Sequence, residues 1–227
     1  MTDKPELEKR KMYIYSNYLY WLMGITIHFL ISLIPTLATM LLIEPVIQNI
    51  LLYAVMLLPV GPSLGAIIAC VLKIIEQKDL NPAKDYWQYY HKNWRDSLKV
   101  WSLFIGVEAI LIVDIIYVND MFNMETPLFS FFFLLLFILC ALVVIPVFVI
   151  NIKFKFSLKD LLKLGIFYTL TRFKLTVGNA CILFLTYFIM TVTIEILPLL
   201  FGGVLVYLIV AYNYETLVDI KGKYIQE

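Results

Sequence analysis

Histidine is nearly missing from this chain, which carries it only at His28 and His91. A His-based metal site needs several such ligands, so none is expected. Cysteine is scarce as well. Cys70, Cys140 and Cys181 each lie inside an apolar run, without a C-x-x-C pair or Cys/His ligand spacing. They read as small packing residues rather than a metal or redox site. No G-x-x-x-x-G-K-[ST] or G-x-G-x-x-G phosphate loop is present, nor any H-E-x-x-H or S-x-x-K motif. Neither nucleotide hydrolysis nor a known hydrolase chemistry is expected, the chain reads as no enzyme, and no cofactor is implied. A selectivity-filter-like loop and an Arg-rich sensor helix are also lacking.

Charge is the next shortage. Charged residues make up 15% of the chain and hydrophobic ones 62%, with a formal net charge of +1. Soluble domains carry about 25% charged and about 45–50% apolar residues. So small a net charge offers no bulk attraction to nucleic acid. The apolar excess is gathered into runs at about 18–43, 49–72, 98–118, 128–152, 176–195 and 197–213. About 20 apolar residues cross a hydrocarbon layer of some 30 Å. The runs show no period-2 alternation, so helices rather than barrel strands are expected. The first run is far longer than the roughly 7–15 residues of a signal peptide core, so it reads as a retained span. The expectation is one integral membrane domain over residues 1–227, an all-α polytopic transmembrane bundle of six spans. Residues 176–212 are apolar almost throughout, and a tight turn near Glu195–Pro198 would divide them into two spans.

Lys and Arg, 18 in all, are confined to alternate loops. They precede the first run, lie between runs two and three and between runs four and five, and follow the last. The other loops, 44–48, 119–127 and the turn near 195–198, hold acids instead: Glu44, Asp120, Glu125 and Glu195. By the positive-inside rule both termini are cytoplasmic. The two longest basic loops resemble each other. Lys84-Asp85 and Lys159-Asp160 each open an aromatic-rich helical stretch that ends on a Lys before the next span, Lys99 and Lys174. Two amphipathic cytoplasmic surface helices are expected, and coincidence or an internal repeat of span, surface helix and span both account for the likeness.

In the first of these helices Trp87, Tyr90, Trp94 and Trp101 recur at helical spacing, opposite a side bearing Lys84, Gln88, His91, Lys92 and Arg95. An aromatic face under a basic one describes a helix lying in the membrane interface, or a docking surface for a cytoplasmic partner formed by Trp87, Tyr90, Trp94 and Arg95. Inside the spans, Glu108, His28 and Asp114 are candidates for a substrate or ion pathway, because ionisable groups in hydrocarbon usually face a bundle interior or water. A hydrogen-bonded structural role accounts for them equally, and Glu108 and His28 could pair. Pro59 and Pro62 break the second run half-way, and broken helices at membrane depth line cavities or serve as packing kinks.

The stretch from Pro59 to Trp101 reads PVGPSLGAIIACVLKIIEQKDLNPAKDYWQYYHKNWRDSLKVW. Its small-residue kinked span, Leu72-Lys73, acidic turn and aromatic helix ending near Asn93-Trp94 resemble the YesL-like family of small bacterial membrane proteins. The likeness extends in length and layout over nearly the whole chain, with Tyr and Trp where the family's surface helix spaces Phe. The resemblance implies a multi-pass protein of the bacterial cytoplasmic membrane, of a family without assigned activity. It further implies association with binding-protein-dependent carbohydrate importers, their permease or ATPase subunits being the partners besides the lipid bilayer. The functional expectation is therefore a non-enzymatic accessory or regulatory membrane protein of carbohydrate (ABC-type) import. The alternative is a stand-alone secondary transporter or channel for a small solute. Cysteine labelling tests the topology: single cysteines at Asn49 and Asn119 react with an impermeant reagent on intact cells, and one at Asp160 does not. Labelling at 160 from outside reverses the orientation.

Overall fold

A computed structural model describes residues 11–121, 127–192 and 200–224, and among these there are helices and no strand. The chain runs through α1 (Lys11–Ser32), α2 (Ile34–Leu42), a short 3-10 turn (Ile47–Asn49), α3 (Ile50–Met56) and α4 (Val60–Gln77). It continues through α5 (Pro82–Met121), α6 (Pro127–Lys153), α7 (Leu158–Thr171), α8 (Phe173–Val192) and α9 (Gly202–Tyr224). Five helices are long and apolar enough to cross a membrane, or six when the bent pair α1–α2 counts as one span. That agrees with a polytopic helical bundle. The expected turn near Glu195–Pro198 lies outside the described residues.

The boundaries differ from the hydropathy runs in three places, each for a local reason. The first run bends by 57° between α1 and α2. Pro35, in the first turn of α2, lacks the N–H that would continue the ladder from α1. The second run is broken at residues 57–59 and its helix continues past Leu72 to Gln77. Lys78 ends it in the left-handed region at φ 52°, a conformation that costs a side chain something and stops the helix. The largest difference concerns the first basic segment. It is no separate surface helix, because α5 runs unbroken for 40 residues from Pro82 to Met121, about 60 Å at 1.5 Å per residue. The second basic segment does form its own helix, α7. Ser157 caps it by accepting from the Asp160 N–H at 3.3 Å, and Arg172 separates it from α8.

Helix α4 is the centre of the bundle. Ala66, Ile67, Cys70, Val71 and Ile74 are wholly buried, against α5 mainly and against α1, α6 and α9. At the other extreme Asn179 is the one buried residue of α8, while Phe184 and Tyr187 are each 66% exposed. A helix apolar all round with so little protein contact is suited to hydrocarbon rather than water. Both α4–α5 and α6–α7 are antiparallel hairpins joined by short connections, residues 78–81 and 154–157.

Close approach of backbones sets two of the contacts. A Cβ on Gly61 would overlap the Trp101 side chain, so glycine lets α5 lie against the start of α4. Gly203, in the first turn of α9, would drive a Cβ into the Leu22 carbonyl, and 2.6 Å from Thr26 Oγ1. Its free N–H instead donates to Thr26 Oγ1 at 2.8 Å, which ties α9 to α1. Gly203→Val is expected to destabilise the protein by about 1–3 kcal/mol through overpacking. Gly106→Val, where nothing lies within 4 Å, is the control. Thermal unfolding in mild detergent should separate the two, and equal melting temperatures would disprove the contact.

Candidate functional site

The three ionisable candidates within the apolar runs do not converge. His28 packs its ring on Tyr86 and Trp87, with centroids 6.1 and 6.3 Å away, and its Nδ1 is buried without a hydrogen-bond partner. Glu108 is half-buried further along α5, within hydrogen-bonding reach of Cys140 on α6, and its Oε2 is buried and unpartnered. From Tyr86 to Glu108 along α5 is about 30 Å. The pairing of Glu108 with His28 is therefore corrected. Asp114 lies half-buried beyond Glu108 on the same helix. No grouping of three His, Cys, Asp or Glu able to hold a metal occurs among the described residues.

Pro59 and Pro62 play different parts in the broken helix. The break takes in residues 57–59 and ends on Pro59, the residue preceding the first turn of α4. Pro62 falls within that first turn, where its missing N–H is tolerated, and in a continuous helix its ring would meet the Leu58 carbonyl, so both prolines stand at the break. Leu57 O and Pro59 O accept the Val60 and Ser63 N–H groups at 3.1 and 3.2 Å, and side chains supply further donors at the break. Thr36 Oγ1 donates to Met56 O at 2.6 Å, the Trp101 indole N–H to Leu57 O at 2.8 Å, and Ser63 Oγ to Pro59 O at 2.8 Å. Beside them a hydroxyl cluster joins three helices: Ser32 Oγ lies 2.7 Å from Tyr86 Oη and 2.8 Å from Ser63 Oγ. Tyr86 and Ser63 are fully buried. The break is thus internally satisfied, as a packing device requires.

The aromatic side of α5 divides in the same way. Trp87 and Tyr90 are partly buried against the core, with their rings 5.6 Å apart, whereas Trp94 is 45% exposed and Arg95 is exposed. Of the four residues expected at an interface, Trp94 and Arg95 remain available to a partner or headgroup. Tyr86, between the basic residues of the pattern, is the one that goes deepest.

The largest gathering of polar groups lies where the ends of α4 and α6 meet the side of α5. Two adjoining lobes, of about 230 and 430 Å³, share Asp96, Asn151 and Lys155 in their walls. Lys73, Glu76, Lys92 and Lys153 line the first lobe, and Lys99 lines the second. Two ion pairs brace it: Lys73 to Asp85 at 2.7 Å, and Lys153 to Glu76 at 2.5 Å. Asp85 also accepts the Asn81 N–H at 2.8 Å, so one carboxylate both caps α5 and anchors α4. Tyr214 of α9 reaches Glu76 at 3.3 Å. A second network closes the bundle behind the cleft. Tyr168 donates to Asp219 at 2.7 Å, and Arg172 approaches the same carboxylate at 3.3 Å while covering the Tyr168 ring. Burial, and next the bond to Asp219, raises the Tyr168 hydroxyl well above its ordinary range. Sequence reading assigned these lysines to basic loops and did not bring them to one site. Only their alternation with the carboxylates Glu76, Asp85 and Asp96 hinted at pairing.

Residues 13–115 match the family described as Protein of unknown function, DUF624. The match is consistent with the YesL-like resemblance, and it ends within α5, before α6 to α9. No curated protein and no solved structure is matched by the chain.

Two substitutions separate the parts of the broken helix. Trp101→Phe leaves the Leu57 carbonyl with the Val60 N–H alone and is expected to cost about 0.5–1.5 kcal/mol. Pro62→Ala restores an N–H where none is used and should cost less. Unfolding midpoints in the reverse order would make Pro62 the cause of the break.

Proposed function

We propose, with the match of residues 13–115 to a family of unknown function as premise, that this chain is a non-enzymatic accessory or regulatory membrane protein. It sits in the bacterial cytoplasmic membrane with both termini inside and works beside a carbohydrate importer of the ABC type. The observation that carries the reading is the distribution of polar groups. His28 and Glu108 are too far apart to form one binding site or a short relay, which weighs against transport by this chain alone. The braced cleft of Lys73, Glu76, Lys92 and Lys153, by contrast, lies among the basic segments, which the positive-inside rule puts in the cytoplasm. Trp94 and Arg95 are exposed on the helix that forms one wall. Such a face suits contact with permease or ATPase subunits, where aromatic residues and Arg dominate binding.

The stand-alone transporter is the second reading, and the unpartnered Oε2 of Glu108 favours it. An ionisable group with one carboxylate oxygen unpartnered within a span is a functional candidate. Purification in mild detergent is expected to bring down permease or ATPase subunits of a sugar importer, identified by mass spectrometry. The Trp94→Ala/Arg95→Ala double variant is expected to lose at least about tenfold of them. Glu108→Gln keeps shape and hydrogen bonding but cannot titrate, so in an accessory protein it is silent. Solute uptake by the pure chain in liposomes, abolished by Glu108→Gln, would establish the transporter instead.

A further inference from the structure

The cleft between α4, α5 and the end of α6 has more positive charge than its carboxylates neutralise. Asp85 and Glu76 are engaged by Lys73 and Lys153 at 2.7 and 2.5 Å. Asp96 is met by Lys99, at 4.0 Å. Lys92, on α5, and Lys155, just beyond α6, both line the first lobe, and neither has an ion-pair partner among the described residues. Between them, at the end of α6, Asn151 lines both lobes. Its Nδ2 is buried and donates to nothing among the described residues.

A buried amide donor without an acceptor costs about 1–3 kcal/mol. Lys92 and Lys155 are both exposed and unpaired among the described residues, so their ammonium groups are open to an anion that also meets the Asn151 amide. The class of anion follows from the donors. Three donor groups, Lys92 on α5 with Asn151 and Lys155 at and just beyond the end of α6, suit a tetrahedral oxyanion, which turns an oxygen to each, better than a flat carboxylate with only two. Lysines act here as point charges, as they do in other phosphate sites. The space of about 230 Å³ in the first lobe admits a phosphate together with what carries it.

We propose that this cleft is a binding site for a phosphate group, held by Lys92, Lys155 and the Asn151 amide. The phosphate belongs to a soluble phosphorylated molecule or to an anionic lipid headgroup. The site stands whether or not the chain assists an importer, because nothing in it depends on a protein partner.

Whole protein in nanodiscs of phosphatidylcholine, titrated calorimetrically with inorganic phosphate, reads the soluble source. A second set of discs containing phosphatidylglycerol reads the lipid source, through loss of phosphate affinity by competition and through lipid retained on delipidation. Wild-type protein is expected to respond saturably in at least one arm, and less so as salt rises. Lys92→Gln and Lys155→Gln should each weaken that response by about tenfold or more. Lys84→Gln, outside the cleft, should leave it unchanged. Asn151→Asp, nearly identical in shape, puts a carboxylate between the lysines and should abolish binding with the protein still folded. Response to phosphate in neutral discs assigns the soluble source, and response to phosphatidylglycerol alone assigns the lipid. The proposal is overturned if wild type responds to neither probe, which would leave Asn151 to an ordered water. It is equally overturned if the Lys92→Gln/Lys155→Gln double variant responds as wild type does.

Discussion

Tyr86 carries its hydroxyl to a point that solvent does not reach, 2.7 Å from Ser32 Oγ, and Ser63 completes the cluster from α4. A hydroxyl buried there without a partner would cost several kcal/mol, and in low dielectric its bonds are correspondingly strong. Three helices are therefore tied together by hydroxyls, of which Ser32 and Ser63 also donate to carbonyls of their own helical segments, Phe29 O and Pro59 O. The same place absorbs the irregularities of the chain. The bend before α2 and the break before α4 lie next to it, and Thr36 and Trp101 donate to carbonyls at the break. Irregular backbone inside an apolar bundle persists only where protein replaces the missing ladder bonds.

That junction decides how the rest is shared between protein and surroundings. With α4 enclosed by α1, α5, α6 and α9, the surface of α8 and much of α5 beyond Phe104 are left to hydrocarbon. Towards its end α4 presents Lys73 and Glu76 to partners on α5 and α6. The bonds of Glu76 with Lys153 and Tyr214 then join α4 to α6 and α9. A cleft braced by such pairs keeps its lysines in place before any ligand arrives, which lowers the ordering cost of binding.

Reading the residues in order recovered some of this and missed the rest for identifiable reasons. The apolar runs located helices that include α5, α6 and α8, and the second basic segment located α7. Pro59 and Pro62 pointed to a broken helix, and the break lies at residues 57–59, beside both. What the prolines did not tell is which side chains serve it, Thr36 at Met56 O and Trp101 at Leu57 O. The aromatic stripe of Trp87, Tyr90, Trp94 and Trp101 suggested a helix lying flat. A stripe has the same spacing whether it meets lipid or another helix, and here Trp87 and Tyr90 meet the core while Trp101 serves a carbonyl. The candidates Glu108 and His28 were chosen for the cost of burying them, a property of each alone, and so their separation was invisible.

The sequence by itself determined the class of the protein, a set of apolar helices with its basic residues confined to alternate segments. Helix length and hydrophobicity are sums over neighbouring residues, and each segment must satisfy its own backbone bonds in hydrocarbon. Only the tertiary structure decided that α5 is continuous, that two irregular helices are repaired beside Tyr86, and that lysines from three segments line one cleft. Those outcomes depend on which side chain lies opposite which across tens of residues. That is a matter of packing and of the partner each buried polar group finds, not of local composition.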